Sequence, residues 1–174
     1  MRIPQGSAPH TKNRSHRITA EVEIPASGAE GPICVMGGAS SGWCLYIKDR
    51  KLVYCYNYIH DCYFVRSTKE VPTGKVKLGF EFEKTGQEKF GAGGIGGLYI
   101  NDSKVGEGQI PRTVRYIYAI YETFDIGLDS GTPVTNEYKQ GARFNGKIEK
   151  VVVDLVGERH LDREAEAKIA MKRQ

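Results

Sequence analysis

Long hydrophobic runs are missing from this 174-residue chain. No stretch approaches the ~20 apolar residues that cross a bilayer as a helix. Charge of one sign is scarce too. The 25 Lys and Arg against 21 Asp and Glu leave a formal net charge of only +4. That argues against a dedicated nucleic-acid binder, which concentrates cations on one face or stripe. There is no CxxC, HExxH or P-loop, and no Ser-His-Asp arrangement on a nucleophile elbow. Four cysteines (Cys34, Cys44, Cys55, Cys62) and scattered histidines lack the close ligand pairs of a structural zinc site. No unit repeats with a period of 20–50 residues, so a solenoid or propeller is not expected. The opening residues, MRIPQGSAPHTKNRSHR, lack the apolar core of a secretory leader. They point to the cytoplasm, or to a chain that starts after its natural beginning. Their Pro, Gly, Ser, Asn and His content reads as an interdomain linker.

What is present is glycine, tyrosine and alternation. Gly supplies 21 residues and Tyr 10, which suits many turns between short strands. Ile18, Ala20, Val22 and Ile24 share one face, as do Val76, Leu78, Phe80 and Phe82. Trp43–Lys48 and Lys51–Tyr58 read as a hairpin that sets Cys44 opposite Cys55. Asp49-Arg50 lacks the glycine of a tight type I′ turn, so a type I turn or longer loop is expected there. Lys84–Gly97 reads as a glycine-rich loop, Val114–Tyr121 as β-like, and Phe144 as an inward residue of the last strand. Leu161–Lys172 is rich in helix formers. These elements predict an all-β fold, an antiparallel β-sandwich with a short C-terminal helix. The expected divisions are a linker over 1–16, the sandwich over 17–157 and a helical tail over 158–174.

Each candidate for chemistry has a plain competitor. Gly91 to Gly96 matches GxGxxG, but a strand follows where a phosphate-binding helix is needed, so a hairpin loop is the reading. Trp43, Tyr54, Tyr56 and Tyr58 are candidates for an aromatic face that stacks on sugar rings; packing or a domain interface is the competing role and the favoured one. Asp125 and Asp129, beside a loop rich in Gly, Pro and Asn, are candidate calcium ligands, against Asx-turns that organise the loop without metal. No other cofactor is expected. Cys44 and Cys55 are expected as free thiols, since a disulfide needs an oxidising compartment. Glu21/Glu23 and Glu81/Glu83 are same-face pairs that a glycosidase could use, but solvated strand faces are the default.

Several segments resemble one family. Asn13-Arg14-Ser15-His16 followed by Ile18 to Pro25 is similar to the start of the C-terminal domain of bacterial arylsulfatases. So are Gly42 to Asp49, Glu122 to Gly127, Asp129 to Val134, Phe144 to Val151, and the ending Ala170 to Gln174. Arg50 in place of a turn glycine, and the cysteine cluster, depart from the pattern. The resemblance implies a noncatalytic jelly-roll or concanavalin-like domain of an arylsulfatase. Such a domain would pack on the catalytic domain, shape substrate access or mediate self-association. The formylglycine, calcium and sulfate-binding residues would lie in the catalytic domain, outside this sequence. The alternative is a carbohydrate-binding, lectin-like module. No nucleic-acid or membrane partner is expected.

Overall fold

A computed structural model describes residues 1–89, 91–118 and 122–156. Eleven strands lie in these segments: β1 (Arg2–Pro4), β2 (His16–Ile24), β3 (Gly31–Gly38), β4 (Ser41–Lys48), β5 (Lys51–Tyr58), β6 (Asp61–Glu70), β7 (Gly74–Lys84), β8 (Gly94–Ile100), β9 (Ser103–Ile110), β10 (Thr123–Ile126) and β11 (Lys147–Leu155). They form a six-stranded sheet in the order β1-β10-β3-β4-β5-β6 and a five-stranded sheet in the order β11-β2-β7-β8-β9. Every pairing is antiparallel. The architecture is the antiparallel sandwich that the alternation predicts. No α-helix occurs among the described residues, and the expected helical tail over 158–174 lies outside them.

The core sits between the sheets. Ile18, Ala20, Val22 and Ile24 of β2 and Val76, Leu78, Phe80 and Phe82 of β7 meet Trp43, Leu45 and Ile47 of β4 and Leu52, Tyr54 and Tyr56 of β5. The inner aromatics stack, with Tyr54 and Phe80 ring centres 3.4 Å apart and Trp43 and Tyr54 6.1 Å apart.

Five local expectations change. Residues 1–16, read as a linker, contribute β1, which pairs with β10 at the sheet edge. Thr11 is buried and supplies a partner for the Trp43 indole, whose Nε1–H donates to Thr11 Oγ1 at 3.0 Å. A buried indole N–H needs such an acceptor, and that need draws the segment onto the sandwich. Asp49 and Arg50 adopt φ of 49° and 62°, so the turn is type I′ after all. Its twist matches the flanking strands, which outweighs the missing glycine. The glycine-rich stretch is partly strand, because β8 begins at Gly94. Val114 to Tyr118 lie outside the strands, and Phe144 points into the core as expected but precedes β11, where its N–H donates to Gly127 O at 3.0 Å.

Candidate functional site

The expected aromatic face is not a surface. Trp43 and Tyr54 are 0% exposed and Tyr56 3%. Register explains it: Trp43 opposes Tyr56 and Leu45 opposes Tyr54, so all point to the inner face of the six-stranded sheet. Tyr56 OH accepts the Val114 N–H at 2.9 Å. These three rings therefore cannot stack on a ligand, and packing is their role. Tyr58 is half-buried at the strand end, with the Arg112 guanidinium 4.5 Å from its ring centre.

Asp125, on β10, and Asp129, in the loop that follows, are both buried. Asp125 accepts the Thr123 hydroxyl at 2.8 Å, the Ser130 N–H at 3.0 Å and the Ser130 hydroxyl. Asp129 accepts the Tyr138 hydroxyl at 2.8 Å and the Val134 N–H at 3.4 Å. Burial raises the Asp129 pKa, and those bonds oppose the shift. This is the geometry of loop organisation. Among the described residues no group of three or more His, Cys, Asp or Glu side chains is placed to hold a metal ion.

That loop covers the outer face of the six-stranded sheet. Val134 and Tyr138 pack on Val35, Cys44, Tyr46, Val53, Cys55, Cys62 and Phe64 in a second apolar cluster. Glu137 fastens it, accepting the Tyr46 hydroxyl and an Arg66 N–H at 3.1 Å. Cys44 and Cys55 face each other as the strand count requires, and all four cysteines are free thiols. Burial pushes Cys34 and Cys62 each up to about 12. Such thiols stay protonated and unreactive at neutral pH.

The outer face of the five-stranded sheet is open. Alternation in β2 and β7 directs Arg17, Thr19, Glu21 and Glu23, and Lys75, Lys77, Gly79 and Glu81, away from the core. Register sets opposite charges together: Arg17 opposes Glu81, Glu21 opposes Lys77 and Glu23 opposes Lys75. Between these charged rows runs a row that is uncharged over four strands, in which Val152 opposes Thr19, Thr19 opposes Gly79 and Gly79 opposes Tyr99, before Tyr99 opposes Lys104 of β9. A Cβ on Gly97 would lie 3.3 Å from Tyr99 Cε2 and 3.5 Å from its hydroxyl, so the ring lies along β8 over Gly97. The Arg17 guanidinium stands 5.9 Å from the ring centre. A hollow of about 240 Å³ opens over Gly79, lined by Arg17, Thr19, Lys77, Tyr99 and Asp102. It falls below the ~300–1,000 Å³ of drug-sized pockets, so it suits one small ring or group.

A second, wider cleft of about 630 Å³ lies where Glu23–Ala26, Thr73, Gly74 and Asn145–Lys147 meet, and no aromatic side chain lines it. Of the paired glutamates, Glu81 is held by Arg17 at 2.9 Å. Glu21 and Glu23 are exposed on the charged ladder, as the solvated reading expects. Sequence reasoning did not single out Tyr99. Little signal was available, because Gly94, Gly96 and Gly97 interrupt the alternation of β8.

The chain matches no protein-family model and no curated protein. Solved structures do match its fold. Domains LG4-5 of the mouse laminin alpha1 chain superpose with a TM-score of 0.64 at 11% identity, over 91% of this chain and 40% of that one. The chain thus spans well under half of the laminin structure's length. The CBM40 of the Ruminococcus gnavus IT-sialidase gives 0.53 at 14% identity, over 90% and 83%. The same CBM40 bound to alpha2,3 sialyllactose gives 0.55 at 11% identity, over 89% and 82%. At these identities the likeness shows the jelly-roll sandwich fold alone.

Proposed function

We propose that the chain is a noncatalytic, lectin-like carbohydrate-binding module that uses the open face of the five-stranded sheet. The observation that carries this is the half-buried Tyr99 ring lying along β8 beside a glycine-floored hollow. A sugar presents one apolar face and a rim of hydroxyls. An aromatic plane meets the first, and Thr19 with the surrounding charged groups meets the second. The fold shared with CBM40, a module that binds sialyllactose, supports the reading.

The packing role implied by the arylsulfatase resemblance asks for a broad apolar face. The exposed large hydrophobics among the described residues are Met1, Ile59, Leu155 and Val156, at a turn and near the ends of the described chain. Scattered apolar side chains of this kind are ordinary on a soluble domain. Their pattern supports ligand binding over docking.

The test is a glycan array followed by calorimetric titration of the hits. Tyr99→Ala is expected to lower affinity at least tenfold with little change in melting temperature. Adding calcium or a chelator is expected to leave affinity unchanged, since the proposed contacts include no metal. Absence of binding to every glycan, in either condition, overturns the reading.

A further inference from the structure

Resting on the carbohydrate reading above, we infer that the ligand is an uncharged oligosaccharide lying across the strands, from Tyr99 over Gly79 and past Thr19 to Val152. These four residues occupy four neighbouring strands, β8, β7, β2 and β11. At ~4.8 Å per strand the row is about 14 Å long, longer than the hollow beside Tyr99 alone. Both ends are built from bulk, with an aromatic ring at one and a branched aliphatic at the other. The middle is low, because Gly79 has no side chain and Thr19 a short one.

Charge decides the class of sugar. Three cations surround the aromatic end, and each already holds an acid. Arg17 pairs with Glu81 at 2.9 Å, Lys77 with Asp102 at 2.9 Å, and Lys104 with Glu107. These pairs are exposed and individually weak. A sialic acid carboxylate or a sulfate could open any of these pairs, but the displaced carboxylate would remain beside the incoming anion. Like charges so close repel, and the exchange brings no net gain. A neutral sugar has no such conflict, because each hydroxyl both donates and accepts. It can bond to Thr19 and to the rims while every ion pair stays closed. The face therefore selects against anionic glycans, unlike the sialyllactose-bound CBM40 whose fold it shares.

The experiment compares neutral gluco-, manno-, xylo- and galacto-oligosaccharides of one to four units with sialylated and sulfated forms of the same chains. Affinity for one neutral series is expected to rise at least tenfold from one unit to three, and then to level off. Each added carboxylate or sulfate is expected to weaken binding. Gly79→Thr fills the middle of the row at a position where φ is ordinary for any residue. A Cβ there lies 3.3 Å from Tyr99 Cβ, so a shift of a few tenths of an ångström admits it. It is expected to cut affinity for three units at least tenfold while melting temperature holds or rises, since Thr suits a strand better than Gly. Tighter Tyr99-dependent binding of the sialylated or sulfated forms would overturn this inference and leave the carbohydrate reading intact. The same holds if one unit binds as well as three. Failure of every glycan to bind overturns both.

Discussion

The two sheets turn opposite kinds of surface outward. On the five-stranded sheet β2 alternates strictly between buried and open positions, and its outer row is a ladder of facing charges. On the six-stranded sheet, β4 and β5 are buried on both faces over nearly their whole lengths. The backbones are alike. The difference is the loop carrying Val134 and Tyr138, which turns one outer face into a second core. A strand's pattern therefore reports what covers it as much as how it is folded. The face that stays open is the one whose outer row needs nothing apolar to close it.

Placing the same charge on both faces breaks this comparison most directly. Val134 of the loop is 1% exposed, and Val152 is half-buried in the row with Thr19 and Gly79. Val134→Asp buries a carboxylate among Val53, Cys55 and Tyr46 with no cation provided for it. The expected loss is about 4 kcal/mol, in the range of buried unpaired charges. Val152→Asp keeps its carboxylate at the surface and should cost about 1 kcal/mol or less. Urea denaturation of both variants measures the contrast. Equal losses would mean that the outer face of the six-stranded sheet is not a true core.

The sequence makes some of this division visible. Alternation alone assigns the inner rows of β2 and β7, because each residue type agrees with its side. The Trp43 to Tyr58 hairpin resists such assignment, since Cys44, Tyr46, Val53 and Cys55 are as apolar as the residues facing inward. Nothing local announces that a loop some 80 residues later will cover them. Asp125 and Asp129 carry the oxygen atoms of a metal site, yet spend them on Ser130, Val134 and Tyr138. Only coordinates separate those uses. The row from Val152 to Tyr99 is the least legible feature. Val152, Thr19, Gly79 and Tyr99 share no segment and meet only through the register of three separate strand pairs. Glycines also mislead, because a residue without a side chain carries no alternation. That is why Gly94 to Gly97 read as loop and fold as strand.

Acid sharpens the contrast through one group on each sheet. His16 of β2 is buried against Trp43, Phe80 and Phe82, with Nδ1–H donating to Arg14 O at 2.9 Å. Burial lowers its pKa to about 4 from 6.5, against the opposing pull of that bond. Its folded form therefore binds fewer protons than its unfolded form. The stability it contributes is complete above pH 6.5 and is lost as pH falls towards 4. The loss is about 3 kcal/mol. Glu137, which ties the loop to the six-stranded sheet, moves in a lower window. Arg66 holds its pKa below the ordinary glutamate value, outweighing partial burial, with help from Tyr46. Its contribution is present above the unfolded glutamate pKa and fades as pH falls through the lower folded one. Melting temperature should thus decline in two stages. His16→Phe should flatten the first and leave the second. A first stage that survives His16→Phe would place the acid sensitivity elsewhere.

The smallest effect lies in the turns, where the sheets differ again. Three hairpins use two-residue turns with both φ values positive: Asp49-Arg50, Ile59-His60 and Asn101-Asp102. The five-stranded sheet gives this task to Asn and Asp, which tolerate the left-handed region. Asn101 Oδ1 also accepts the Lys77 N–H at 3.0 Å. The six-stranded sheet puts β-branched Ile59 at φ 49°, with the side chain 60% exposed, so packing offsets little of the strain. The turn is held instead by Asn57, whose Oδ1 accepts the His60 N–H at 2.8 Å while Nδ2 donates to Ala39 O and Val134 O. Ile59→Asn should therefore raise stability by about 1 kcal/mol, read as a higher denaturant midpoint at unchanged slope. Asn101→Ile should lower it by at least as much, because it adds the strain and removes the bond to Lys77. If Ile59→Asn is neutral while Asn101→Ile is costly, the Asn57 bonds already hold the first turn at no penalty. The contrast between the hairpins would then rest on hydrogen bonding rather than on backbone preference.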